Sequence, residues 1–155
     1  IFSVQNDTLE KFYKVKFEGS PQWSPDGNRL AFLVETWKDM KGNIHRGLKV
    51  INLVDGKTKT YNLYDPYFSW SPDSTKIACM TSGGITIINL EEKNKNIFIP
   101  WAKAPAWSPD GSRLCFVKHL SLTNVCLALA NADGTGIIEL TGKVTKMSPP
   151  AWAPR

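Results

Sequence analysis

Short apolar runs separated by turn-forming residues recur along the whole chain, and they recur in step. Arg29-Leu30-Ala31-Phe32-Leu33, Lys76-Ile77-Ala78-Cys79-Met80 and Arg113-Leu114-Cys115-Phe116-Val117 each follow a Ser-Pro-Asp turn. A third strand is predicted after each, over 48–53, 85–90 and 125–130, carrying or ending at Asn52, Asn89 and Asn131. Polar turns then lead into a fourth strand over 60–63, 96–99 and 136–140. Runs of this length, rich in β-branched residues and bounded by Gly, Pro, Asn and Asp, read as strands. No stretch carries a 3.6-residue apolar period, so helix is expected to be nearly absent.

The turn that opens each unit has a physical logic. Trp23-Ser24-Pro25-Asp26-Gly27 returns as Trp70-Ser71-Pro72-Asp73-Ser74 and as Trp107-Ser108-Pro109-Asp110-Gly111, and Trp152-Ala153-Pro154-Arg155 ends the chain. Proline presets φ, aspartate bonds forward to the backbone, and glycine supplies the positive φ. Ser74 in the glycine place is expected to make the second turn less easy. The tryptophans recur at roughly forty-residue intervals, the length of one four-stranded propeller blade.

The expected fold is therefore all-β, made of propeller blades of four antiparallel strands. Three are complete (20–64, 65–101 and 102–147), 1–19 is the end of a blade, and 148–155 is the first strand of the next. Residues 1–17 read as two strands, and 149–153 as one. Stacked sheets bury both faces of each blade, and the repeat tryptophans are expected to fill the gaps between them. Three blades and a defective one make either a segment of a larger propeller or half of a ring that a second copy closes as a homodimer. Ile1 begins within a strand pattern without an initiator methionine, which reads as a removed leader or a piece of a longer chain.

Composition narrows the function classes. The chain has 155 residues, 42% hydrophobic and 21% charged, an ordinary globular balance. The net charge of +5 is scattered, with no basic stripe interleaved with aromatics, so no nucleic-acid partner is expected. No apolar run approaches bilayer length, so no membrane insertion is expected. Cys79, Cys115 and Cys126 lack metal-ligand spacing and read as core residues, Cys79 and Cys115 lying in the strand after the turn.

No nucleophile elbow, His-Glu-x-x-His, Cys-x-x-Cys, Walker or dinucleotide glycine motif occurs, so no catalytic residue, metal or cofactor is assigned. An enzyme acting on sugars or a lactone would need convergent carboxylates or a channel metal, with Asp39, Asp65 and His119 the loop candidates. Binding is instead placed on the rim where loops join strands two to three and blade to blade. There Trp37, Lys38, Met40, His45 and Arg46 stand on the irregular segment 35–46. Two readings of it are open: an exposed interaction loop, or a long hairpin with Trp37 folded onto its own blade. Tyr64, Tyr67, Trp101 and Lys103 come from the blade connections. His45 and His119 are both placed on loops between second and third strands. Aromatics beside lysines suit a protein or peptide partner, an acidic one included.

Pro105-Ala106-Trp107-Ser108-Pro109-Asp110-Gly111-Ser112-Arg113-Leu114 and its copies resemble the TolB-like, WD40-like (PD40) β-propeller repeat over nearly the whole chain. The resemblance implies a non-catalytic protein- or peptide-binding module. Its alternative is the gating propeller domain of a prolyl-oligopeptidase-like serine peptidase whose catalytic part lies elsewhere. It also suggests a periplasmic or secreted setting. The motif residues are structural, so the resemblance carries over no functional residue.

Overall fold

The computed structural model describes residues 2–5, 8–12, 18–38, 40–42, 44–63, 67–92 and 95–152. Among them the regular structure is entirely β. A two-stranded antiparallel sheet pairs β1 (Phe2–Gln5) with β2 (Thr8–Phe12). Three four-stranded sheets follow. The first runs β3 (Glu18–Trp23), β4 (Arg29–Lys38), β5 (Ile44–Asn52), β6 (Thr58–Leu63). The second runs β7 (Phe68–Trp70), β8 (Lys76–Thr81), β9 (Gly84–Asn89), β10 (Ile97–Pro100). The third runs β11 (Ala102–Trp107), β12 (Arg113–His119), β13 (Val125–Asn131), β14 (Ile138–Glu139). In each, sequence neighbours pair as a meander.

The chain divides into two compact units, Ile1–Trp23 with Gly27–Asn62, and Ser24–Asp26 with Leu63–Arg155. In the first, Leu30, Phe32 and Ile51 form a small core joined by Val34 and Leu53. In the second, β11 packs against β7, β8 and β9. The core there includes a cluster of Ala78, Ile85, Ile87 and Ile99 with Trp107, Leu114, Phe116 and Ala128, and a smaller one of Ala104, Val117 and Val125 with Met147 against it. The second strands β8 and β12 are near-continuous apolar runs because both of their faces are covered. The outermost β14 is exposed.

The Trp-Ser-Pro-Asp turns use their serine more than their sequence suggests. Ser24, Ser71 and Ser108 are all buried. The Ser108 hydroxyl donates to Asp110 Oδ1 at 2.7 Å and accepts the Arg113 N–H at 2.9 Å. Asp110 Oδ1 also accepts the Ser112 N–H at 3.0 Å. Ser71 and Asp73 repeat the arrangement with Lys76 and Thr75. Ser74 stands at φ 61, matching Gly27 at 71 and Gly111 at 72. It is buried, and its hydroxyl accepts the Asp26 N–H at 3.0 Å, a bond no glycine offers in compensation for the left-handed backbone.

Several expectations change. Trp70 and Trp107 are buried, but Trp23 is 53% exposed, so the packing role does not extend to the first repeat. Trp107 packs among side chains of the sheet preceding its own, whereas among the described residues the sheet preceding Trp23 has two strands, β1 and β2. Residues 149–152 form no strand, since a first strand needs a second to pair with and no described residue supplies one. The segment 35–46 is mostly strand: β4 and β5 extend to Lys38 and from Ile44, with a bulge between Glu35 and Trp37. His45 and His119 lie on strands β5 and β12, because both hairpins pair further than their apolar residues reach.

Candidate functional site

Trp101 is the single residue between β10 and β11, and it holds φ 57. Its N–H donates to the Gly83 carbonyl at 2.9 Å, and its own carbonyl accepts the His119 N–H at 2.7 Å. A non-glycine residue held left-handed costs about 1–3 kcal/mol, which the pinned backbone sustains. The indole is 67% exposed. Ala104 is also left-handed, at φ 52, so Lys103 stands between two such residues where the β11–β12 register shifts.

Three clefts share this ground in the second unit. One of about 380 Å³ is lined by Trp101, His119, Leu120, Ser121 and Leu122. A second, of about 310 Å³, adds Met80, Gly84 and Lys103. A third, of about 200 Å³, is lined by Tyr67, Met80, Lys103, Ala104, Met147 and Pro149, among others. Lys103 and Met80 border both the second and the third. Gly84 permits the close approach of β10 beneath the cleft: a Cβ there would lie 2.2 Å from the Ile99 carbonyl oxygen.

The electrostatics are one-sided. Among the described residues no Asp or Glu lines any of the three clefts. Lys103 is half-buried and takes part in none of the ion pairs among the described residues. Partial burial and then the Lys103 ammonium hold the His119 imidazolium pKa below its usual value, against a hydrogen bond to the Ser121 backbone that raises it. The Ser121 hydroxyl accepts the N–H groups of Thr123 (3.3 Å) and Asn124 (3.1 Å), so its own hydrogen is left to donate. Among the described residues no cluster of His, Cys, Asp and Glu is arranged to hold a metal ion.

Of the residues singled out from sequence, Tyr67, Trp101, Lys103 and His119 line this joined cleft. Lys38, Met40, His45 and Arg46 belong to the β4–β5 hairpin of the first unit. Met40 is fully exposed at its tip. Trp37 pairs with His45 through the backbone, and its side chain lies outside the described part. Tyr64, Asp39 and Asp65 lie outside the described residues. Met80, Ser121, Leu122 and Met147 were missed. Met80 and Met147 carry no polar signal, and the Leu122 side chain joins the cleft only through the fold of the β12–β13 hairpin.

The sheets are those of β-propeller blades, and solved propellers share the fold. The β-propeller domain of the Trilobed protease from Pyrococcus furiosus matches at TM-score 0.60 and 18% identity, over 88% of this chain and 45% of that one. TolB from Acinetobacter baumannii matches at TM-score 0.60 and 20% identity, over 87% and 35%. Pyrococcus horikoshii acylaminoacyl peptidase matches at TM-score 0.67 and 17% identity, over 88% and 26%. The chain thus spans less than half the length of these proteins. No protein-family model and no curated protein matches the chain. Its fold is a TolB-like β-propeller fold, and no described helix is long and apolar enough to cross a membrane.

Proposed function

We propose that the chain is a non-catalytic, peptide-binding segment of a TolB-like propeller, with the repeat blades of 20–64, 65–101 and 102–147 as its scaffold. One observation carries the reading. An exposed tryptophan, pinned through its backbone at both ends, overhangs a mostly apolar cleft with a half-buried lysine in its wall. Rigid aromatic anchors beside apolar pockets are what protein interfaces use as their energetic centres. A random heptapeptide library panned on the protein is expected to enrich peptides that the Trp101→Ser variant releases. Failure to enrich any peptide over that variant overturns the reading.

A second reading, the propeller domain of a serine peptidase, is supported by the likeness to the Trilobed protease propeller and to acylaminoacyl peptidase. Labelling of the full-length gene product by a fluorophosphonate supports this second reading. A homodimer completing a ring is proposed on the repeat pattern alone, three complete blades with parts of another. A single species of twice the chain mass in light scattering supports it, and a monomer removes it.

A further inference from the structure

Lys103 stands in the shared wall of two clefts, the first largely apolar and the second of mixed surface but walled by the side chains of Tyr67, Met80, Val117, Met147 and Pro149. On one side are Trp101 and Leu122; on the other are Tyr67, Met147 and Pro149. A ligand that fills both sides carries an apolar group to each side of whatever meets the ammonium. We propose that the occupant is an extended peptide whose internal Asp or Glu meets Lys103, with a bulky apolar side chain two residues away on either side. The inference rests on the peptide-binding reading above and specifies its ligand.

Three observations carry it. The first is charge complementarity: among the described residues, the clefts hold a half-buried cation with no ion pair and no lining carboxylate. The second is spacing. In an extended chain, residues i−2, i and i+2 share one face about 7 Å apart, so three side chains reach three adjacent sites. The third is the arrangement about Lys103. A C-terminal carboxylate would end the chain at the lysine and leave one cleft empty, whereas an internal acidic residue continues into both. Ser121, with a hydroxyl hydrogen left to donate, lines the Trp101 side and suits the same anion or an adjacent peptide carbonyl.

The test uses capped probes, acetyl-Thr-Leu-Thr-Glu-Thr-Leu-Thr-amide and its counterpart with Gln in place of Glu, read by tryptophan fluorescence and calorimetry. The Glu probe is expected to bind about two- to fivefold more tightly than the Gln probe, the range of a partly exposed ion pair. Raising the salt to about 0.5 M is expected to shrink that ratio, because screening at that strength is short-ranged. On Lys103→Met the two probes are expected to bind alike, and on Lys103→Arg the preference is expected to return. The salt arm uses the native protein and holds even where a variant fails to fold. Equal affinities of the two probes for the native protein overturn the inference and leave the peptide-binding reading standing. If neither probe binds while library-selected peptides do, the inference alone falls. If library peptides fail as well, both fall.

Discussion

The indole Nε1 of Trp152 donates a 2.9 Å hydrogen bond to the carbonyl of Ala106. Ala106 lies on β11, the edge strand of the third sheet, whose outer edge pairs with no strand among the described residues. The tryptophan of the fourth repeat thus satisfies an edge carbonyl in place of a strand. Trp152→Phe keeps most of the apolar contact and removes the donor. It is expected to lower unfolding stability by about 1 kcal/mol, read as a shift in urea midpoint at unchanged m.

Gly111 stands at φ 72, and a Cβ there would meet only the Pro72 ring, at an ordinary 3.5 Å. Space is available, so the cost of Gly111→Ala is conformational alone. A loss of about 1 kcal/mol is expected, with Gly111→Asn milder because asparagine tolerates the left-handed region. Thermal melts of the two variants check the order.

Burial by itself would raise the Asp73 pKa, but hydrogen bonds from the Ser71 hydroxyl and from Thr75, with the Lys76 ammonium, outweigh it and hold it below its usual value. A carboxyl whose folded-state pKa is depressed stabilises the fold above its unfolded value of about 3.9, and that stabilisation is lost as pH falls through the folded-state value. Asp73→Asn is therefore expected to lower stability at neutral pH and to flatten the decline below about pH 4. Urea midpoints of both proteins between pH 7 and pH 2.5 test this; parallel curves would remove Asp73 from the acid response.

Burial pushes the Cys79 thiol up to about 12, and Cys115 and Cys126 are raised by the same cause. All three are buried. Since the thiolate is the reactive species, native protein at about pH 8 is expected to label far more slowly with iodoacetamide than a free thiol. In urea all three are expected to label. Rapid modification of Cys79 in the folded protein would contradict its place in the core.

The strands were legible because their signals are local. A Ser-Pro-Asp turn followed by an apolar run specifies a hairpin from neighbouring residues, and β4, β8 and β12 all begin at the residue such a turn predicts. Strand ends were read less well. The β4–β5 pairing through Trp37 and His45 uses backbone bonds that polar side chains accept as readily as apolar ones. Asn52, which ends β5, bonds forward to Val54 through its side chain, and Asn89 does so to Glu91; in both places the asparagine itself marked the stop.

The site divides differently. Tyr67, Trp101, Lys103 and His119 stood out because aromatic, cationic and titratable groups are rare enough on connections to be noticed. Met80, Leu122 and Met147 did not, since an apolar side chain looks the same in sequence whether it lines a core or a cleft.

The chain by itself determined the blade: strand order, turn geometry and the apolar second strand all follow from contacts between residues near in sequence. Only the tertiary structure decided which tryptophan is buried and which side chains meet at Lys103. Burial depends on the sheet that stacks alongside, so Trp23 and Trp107 share a motif and differ in exposure. The cleft likewise joins residues from β8, from the β10–β11 junction and from the β12–β13 hairpin. Their proximity follows from packing between sheets, a long-range relation that the local pattern does not encode.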